Sequence, residues 1–212
     1  MLKIKSFEFS PIQENTYILY NEFNECIIID PGCYYPQEKD ELAAFIKSAN
    51  LKPVKLLNTH CHLDHVFGNK FVADTYGLTL HLHEKELPVL SFATTSGLMY
   101  NLPFGNYTGD YVFVEEGDEL VLGQDKLIVL FTPGHSPASV CFYCKAQNFV
   151  IGGDVLFQQS IGRTDLPGGN MDALLNSIRN KLFILPDETI VYSGHGPETT
   201  IGFEKKHNPF LQ

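Results

Sequence analysis

The sequence predicts an α/β protein built as a four-layer sandwich, in a single domain over residues 1–212. Two observations predict this class. Short apolar runs typical of strands recur in both halves of the chain, together with amphipathic segments typical of helices. Most of these runs lead into a loop of small residues that carries a histidine or an aspartate. This plan places helices outside two sheets and presents polar side chains from strand ends.

The first strands are predicted over residues 16–20 and 26–29, which are rich in β-branched and aromatic residues. An Asp-Pro-Gly turn at residues 30–32 ends the second strand. A helix follows, because apolar residues recur at helical spacing: Leu42, Phe45, Ile46 and Ala49. Beyond Pro53, residues 54–57 predict a buried strand that leads to His60.

The next helix is expected to begin near His65 and to end by Gly77, and a further strand and helix occupy residues 78 to about 92. The stretch from residue 94 to residue 111 is rich in Gly, Asn, Thr and Tyr and has no clear period. We therefore expect a long loop there, and long loops in compact domains are often functional.

The second half of the chain repeats this plan. Strands are predicted over four ranges: residues 127–131, 139–143, 149–151 and 189–192. The first, third and fourth of them lead to His135, Asp154 and His195, respectively. Asn170 is the expected N-cap of a helix with one apolar face, formed by Met171, Leu174, Leu175, Ile178 and Leu182.

Composition limits the classes of function. The hydrophobic content of 44% is enough for a sizeable core, whereas a net charge of −10 disfavours nucleic acid and anionic membranes as partners. No stretch approaches the length of a transmembrane helix, and the first residues lack the apolar core of a signal peptide. Five cysteines are an odd count, which lacks the even pairing of a secreted disulfide framework. We therefore expect a cytoplasmic protein with reduced thiols that binds neither nucleic acid nor membranes.

The most informative segment is residues 59–65, Thr-His-Cys-His-Leu-Asp-His, which packs three imidazoles and a carboxylate into one short turn. With the later residues in Gly-rich settings, the candidate metal ligands number seven: His60, His62, Asp64, His65, His135, Asp154 and His195. Imidazole and carboxylate ligands suit Zn, Mn or Fe. Since one tetrahedral site takes at most four protein ligands, the seven favour a pair of divalent ions that share a bridging carboxylate.

These residues resemble the metallo-β-lactamase superfamily, whose His-x-His-x-Asp-His signature lies at residues 60–65 and whose later His, Asp and His follow in the same order. The resemblance implies the family's αββα sandwich with metals between the sheet edges. It assigns three ligands to each metal: His60, His62 and His135 to one, and Asp64, His65 and His195 to the other. Asp154 and a water or hydroxide are the implied bridges, and the carboxylates of Asp64 and Asp154 are expected to take part in catalysis.

Within the superfamily the chain is similar to small bacterial hydrolases of the glyoxalase II type, which share residues 162–165 (Gly-Arg-Thr-Asp) and 194–200 (Gly-His-Gly-Pro-Glu-Thr-Thr). This implies hydrolysis of a thioester, S-lactoylglutathione or a related acyl thiol, by a metal-bound hydroxide. The expected cofactors are two divalent ions, Zn before Fe or Mn. The leaving thiol, with a pKa near ~8.5, needs little general-acid help. Because the sequence stops shortly after His195, we expect no C-terminal helical domain of the kind that binds glutathione in classical glyoxalase II.

Three further residues are expected near the site. Arg163 either clamps a substrate carboxylate, as a basic residue of the corresponding glyoxalase II loop contacts glutathione, or forms a structural ion pair with Asp165. Asp30 and Thr59 are expected to support the metal histidines, which usually need an acceptor for the second ring nitrogen.

The main rival function is a persulfide dioxygenase, a branch that this chain also resembles, including its Gly-Arg-Thr-Asp stretch. That resemblance implies a single iron held by His60, His135 and Asp154, with open positions for oxygen. A β-lactamase is less expected of a cytoplasmic protein. A nuclease is less expected of an acidic chain without a recognisable nucleic-acid module.

Overall fold

The structure, a computed structural model, describes residues 1–212 and divides the chain into two compact units. Unit 1 comprises Met1–Leu82, Leu87–Phe113 and Leu122–Asp125. Unit 2 comprises His83–Glu86, Val114–Val121 and Lys126–Gln212. A single domain over the whole chain remains a prediction.

Unit 1 is built on a six-stranded sheet in which spatial order follows chain order. Its strands are β1 (Lys3–Phe9), β2 (Glu14–Tyr20), β3 (Glu25–Ile29), β4 (Lys52–Leu57), β5 (Leu80–Leu82) and β6 (Tyr111–Phe113). The first three strands pair antiparallel, whereas β3 to β6 pair parallel. Parallel neighbours need crossover connections, and here these contain helices. The helices are α1 (Pro36–Ser48), α2 (Leu63–Val66), α3 (Asn69–Tyr76) and α4 (Leu87–Met99).

The core of unit 1 lies between these helices and the sheet. Strand β2 is buried along almost its whole length, and β3 contributes the fully buried Ile28. Helix α1 packs Leu42 and Ile46, one turn apart, into the same cluster. The apolar spacing that predicted this helix is therefore the spacing of its buried face.

The second six-stranded sheet runs in the order β14-β13-β10-β9-β8-β7. Its strands are β7 (Glu119–Leu122), β8 (Asp125–Phe131), β9 (Val140–Cys144), β10 (Phe149–Gly153), β13 (Ile190–Ser193) and β14 (Thr199–Thr200), and a separate hairpin comprises β11 (Leu156–Phe157) and β12 (Ser160–Ile161). Helix α5 (Met171–Ser177) continues as a π-helical turn over Ile178–Leu182, and α6 spans Ile201–His207. Asn170 caps α5 as predicted, since its side chain accepts a hydrogen bond from the backbone N–H of Ala173 at 2.9 Å.

Two helix predictions were wrong in extent. The helix expected from His65 to Gly77 is divided between α2 and α3 at Gly68, where a Cβ atom would lie 2.4 Å from Cys33 Sγ. Helix α4 was expected to end near residue 92, but it continues to Met99, so the connection to β6 is shorter than predicted. Its Thr-Thr-Ser-Gly stretch has low helix propensity, which packing of the buried face with Leu90, Ala93 and Gly97 overrides.

Several short elements were not predicted. Strand β1 has four exposed residues among its seven and so lacks a clear apolar pattern.

All five cysteines are buried free thiols. No helix has the length and apolarity needed to cross a bilayer.

Candidate metal centre

The donor segment of unit 1 follows strand β4 and enters helix α2. His60, Asp64 and His65 are buried, and His62 is partly buried. The ring centroid of His60 lies 4.1 Å from that of His65 and 4.8 Å from that of His62. The His65 Nε2 atom lies 3.7 Å from a carboxylate oxygen of Asp64. The four ligands predicted in this motif therefore form one compact cluster.

A single buried carboxylate, that of Asp30, contacts the residues that form this cluster and holds them in place. Its Oδ1 atom accepts hydrogen bonds from the backbone N–H of Thr59 at 2.7 Å and from Asn58 Nδ2 at 3.2 Å. Its Oδ2 atom accepts from Thr59 Oγ1 at 2.6 Å and lies 3.1 Å from His65 Nδ1. The donor atoms of Asp30, His60 and His65 lie within 4.8 Å of one another, but both Asp30 oxygens are already engaged. Asp30 therefore supports the cluster rather than serving as a ligand.

These contacts determine which ring nitrogen faces the site. Since the Thr59 hydroxyl donates its only proton to Asp30, it accepts from His60 Nδ1, which lies 3.1 Å away. His65 Nδ1 in turn donates to Asp30. Both rings are therefore held in the tautomer that leaves Nε2 as a lone-pair ligand, an arrangement typical of metal-binding histidines. The expectation that Asp30 and Thr59 support the histidines is confirmed.

Two residues of this environment were missed by the sequence reasoning. Glu14, fully buried at the start of β2, has Oε1 at 3.9 Å from His65 Nδ1. Burial raises the pKa of its carboxyl well above the usual range, and His65 partly opposes that shift. Asn58 donates to the His65 carbonyl at 3.0 Å. The signals for them in the sequence are weak: Glu14 is a charged residue that opens an apolar strand, and Asn58 is an amide that precedes the motif.

The donor residues of unit 2 also follow strand ends. His135 lies in the loop between β8 and β9, Asp154 follows β10, and His195 follows β13. Because β10 and β13 are parallel neighbours with Gly153 in register with Ser193, the residues after them emerge at the same edge. Asp154 Oδ2 lies 3.5 Å from the Nε2 atoms of both His135 and His195. The three later predicted ligands thus converge, with the carboxylate between the imidazoles.

The surroundings of His135 require glycine at two positions, one in its own loop and one just after β12. A Cβ atom on Gly162 would lie 2.0 Å from the Asp154 carbonyl oxygen and 3.0 Å from His135 Cβ. Gly134 has a φ of +140°, and a Cβ atom there would lie 2.3 Å from the backbone of Leu174. Gly134 and Gly162 are therefore required by close backbone approach near His135 and Asp154.

Arg163 contacts the site through its backbone. Its carbonyl oxygen accepts from His135 Nδ1 at 2.8 Å, which leaves Nε2 of that ring facing Asp154. Its guanidinium forms a bidentate pair with Asp165 at 2.7 Å for both hydrogen bonds, on an exposed part of the surface. Hydrogen bonding by Arg163 lowers the pKa of the Asp165 carboxyl to about 2. The structure therefore contains the predicted ion pair.

Both donor sets fit metal ions. Imidazole and carboxylate are the ligands that Zn, Fe and Mn take in proteins. The Nδ1 atoms of His60, His65 and His135 each lie within 3.1 Å of an oxygen atom, so each ring is oriented through Nδ1. Burying a carboxylate among imidazoles is costly unless the groups are paired or coordinate a cation, so a metal ion would also offset that cost.

The family assignment rests on the sequence profile of the metallo-beta-lactamase superfamily, which matches residues 10–195. The chain belongs to this superfamily. A probable metallo-hydrolase of Bacillus subtilis, YqgX, is 42% identical over 99% of this chain and 98% of its own length. The hydroxyacylglutathione hydrolase GloC of Haemophilus influenzae is 34% identical over 99% of this chain and 98% of its own. These relatives place the chain among the metallo-hydrolases of the superfamily.

Solved structures confirm the predicted fold class, the metallo-β-lactamase fold. The B3 metallo-beta-lactamase BLEG-1 has a TM-score of 0.90 at 42% identity, over 99% of this chain and all of the other. The protein TTHA1623, solved in a di-iron-bound form, has a TM-score of 0.87 at 35% identity, over 98% and 100%. ETHE1 from Myxococcus xanthus has a TM-score of 0.80 at 28% identity, over 98% and 83%.

Proposed function

We propose that this chain is a metal-dependent hydrolase of the glyoxalase II type, which cleaves S-lactoylglutathione or a related acyl thiol. The observation that carries the proposal is the complete set of seven donors, in which the rings of His60, His65 and His135 are each fixed through Nδ1. The relative GloC, named a hydroxyacylglutathione hydrolase, supports the choice of substrate class.

The proposed ligand sets are those implied by the family resemblance: His60, His62 and His135 for one ion, and Asp64, His65 and His195 for the other, with Asp154 shared. When bound, two divalent ions lower the pKa of coordinated water and polarise a carbonyl group. Zn is the proposed metal, with Fe as the alternative, since a structural relative was solved with two irons.

The chain's own polar residues orient the proposed metal ligands or serve as ligands themselves. We therefore do not assign any of them the role of a general acid. Asp30, through Thr59 and directly, fixes the rings of His60 and His65 before substrate arrives. Asp154 stands between two imidazoles, with Oδ2 at 3.5 Å from the Nε2 atoms of His135 and His195. Because the polar side chains of the site serve as ligands or as supports for them, the site suits a substrate whose leaving group needs no proton. A thiolate meets that requirement because its thiol has a pKa near ~8.5.

Arg163 is proposed as the clamp for a substrate carboxylate. Its guanidinium is exposed and already holds one carboxylate, that of Asp165, in the bidentate geometry that a substrate would use. Exchange of Asp165 for the substrate conserves those hydrogen bonds. Before substrate binds, Asp165 keeps the guanidinium oriented.

The rival function is oxidation of a persulfide at one iron held by His60, His135 and Asp154. The likeness to ETHE1 at 28% identity keeps this alternative in view. It predicts a mononuclear iron and oxygen consumption, and it leaves Asp64 and His65 without a catalytic part. Likeness to BLEG-1 makes β-lactam hydrolysis a third activity to measure.

The deciding experiment is metal analysis and assay of one anaerobically purified sample. We expect two ions per chain and release of thiol from S-lactoylglutathione without oxygen uptake. The same sample is offered glutathione persulfide in an oxygen electrode and a chromogenic cephalosporin. One iron per chain, with rapid oxygen uptake and no thioester turnover, would establish the dioxygenase instead. Turnover of the cephalosporin alone would make the chain a β-lactamase.

A further inference from the structure

A buried carboxylate outside the donor sets holds the loop that carries His135. Glu86 is fully buried and ends the 3₁₀ turn Glu84–Glu86 in unit 2. Its Oε1 atom accepts from the backbone N–H of Ala138 at 2.8 Å. The Ser136 hydroxyl lies 2.6 Å from Oε1 and 2.7 Å from Oε2. One carboxylate therefore binds the first and the third residue after His135.

The rest of this loop is fastened by neutral groups. Its two ends are joined by a hydrogen bond from the Thr132 N–H to the Ser139 carbonyl at 2.8 Å. Ser177 donates to the Pro133 carbonyl at 2.7 Å, and the Asn170 N–H donates to the Gly134 carbonyl, also at 2.7 Å. These contacts fix the side of the loop that precedes His135. Glu86 fixes the side that follows it.

Packing alone does not explain why a carboxyl group, rather than an apolar side chain, is buried at position 86. Placing a carboxylate in a protein interior costs several kcal/mol unless strong hydrogen bonds offset the loss of hydration. Hydrogen bonds to a carboxylate are shorter and roughly twice as strong as neutral ones, so they fix geometry more tightly. Metal ligands need such placement, because a productive site tolerates a displacement of only ~0.5 Å.

We infer that Glu86 is a positioning residue for His135, which acts through Ser136 and Ala138. The inference rests on the proposed function, in which His135 is a metal ligand. Together with the Arg163 carbonyl on Nδ1, this contact sets where His135 Nε2 lies relative to Asp154. In the sequence Glu86 is hidden in the hydrophilic run His-Glu-Lys-Glu, which is typical of a surface.

The test compares two buried glutamates of unit 2. Glu86→Gln keeps the shape but replaces one acceptor oxygen by an amide that cannot accept from Ser136. Glu204→Gln is the matched control, because Glu204 is equally buried and accepts from Thr199 and from Asn208 Nδ2, away from the His135 loop. The measurements are the dissociation constants of both Zn ions by chelator competition, the absorption spectrum of the Co(II) form, and the melting temperature of the metal-free protein.

We expect Glu86→Gln to weaken one of the two ions by about 10–100-fold, the usual effect of a residue that orients a ligand. Its Co(II) spectrum should change, whereas Glu204→Gln should alter only the melting temperature. Wild-type constants and spectrum in Glu86→Gln would show that Glu86 only packs the loop. If that variant does not fold, Ser136→Ala removes the hydroxyl alone and should weaken the same ion; unchanged constants there overturn the inference. A wild-type protein that binds no metal refutes the proposed function itself, a separate result.

Discussion

Replacing Asp30 with asparagine tests how the donors of unit 1 are held in place. Asp30 has a left-handed backbone, with φ of 48°, which asparagine also adopts readily, so we expect the variant to keep the fold. The variant keeps an acceptor oxygen for the Thr59 N–H but places an amide group at Oδ2. That amide then faces His65 Nδ1 at 3.1 Å and Thr59 Oγ1 at 2.6 Å.

The chemical consequence is a change of tautomer. An amide donor opposite Nδ1 of His65 favours the ring form that carries its proton on Nε2, the atom that would bind metal. The metal must then break this hydrogen bond and expose two donors to each other. A buried group left unsatisfied costs about 1–3 kcal/mol, which corresponds to a roughly five- to 150-fold rise in the metal dissociation constant. Metal-free stability should change less, because the new tautomer satisfies the amide.

The assay is chelator competition for Zn at pH 7 with wild type, Asp30→Asn and the control Asp187→Asn, an exposed carboxylate paired with Lys205 at 2.6 Å. Nitrogen NMR shifts of the imidazoles report the tautomer directly. We expect weaker Zn binding and an altered His65 signal in Asp30→Asn alone. An Asp30→Asn protein with wild-type Zn affinity and an unchanged His65 signal would refute the reasoning.

Three further predictions concern Asp154, Arg163 and two buried thiols. Asp154→Ala should release metal from both positions and lose activity by more than the ~10–100-fold typical of a residue behind the ligands, whereas retention of two ions and normal turnover would show that Asp154 does not bridge. Arg163→Ala should raise KM about tenfold for thioesters that carry a carboxylate and spare those without one, and an equal loss on every substrate would mark a structural role. Burial raises the pKa of the Cys26 and Cys33 thiols to about 12, so both stay protonated at pH 8 and the native protein should react with Ellman's reagent far more slowly than the urea-unfolded chain; rapid labelling of the native protein would contradict this.

The sequence predicted what depends on local pattern. Strands such as β3 and β10 are continuous apolar runs, and the cluster at residues 60–65 is local enough to be recognised as a ligand set. Non-local contacts were less accessible. Gly68, where a predicted helix divides, donates its N–H to the Pro31 carbonyl, and the buried state of Glu86 depends on a loop some fifty positions later. A charged residue in a polar run is read as exposed until the fold places another segment over it.

The two donor sets differ in the distance along the chain that must be closed to form them. In unit 1 the proposed ligands occupy residues 60–65, so we expect this segment to be able to bind an ion before the chain has folded. In unit 2, Asp154 and His195 meet only after β10 and β13 have paired in parallel, a long-range step that is slow in folding. We therefore expect metal that is present during refolding to bind the unfolded chain as well as the native one. Such binding lessens the stabilisation that the ion gives at equilibrium, and it offers the chain a first point of assembly before either sheet is complete.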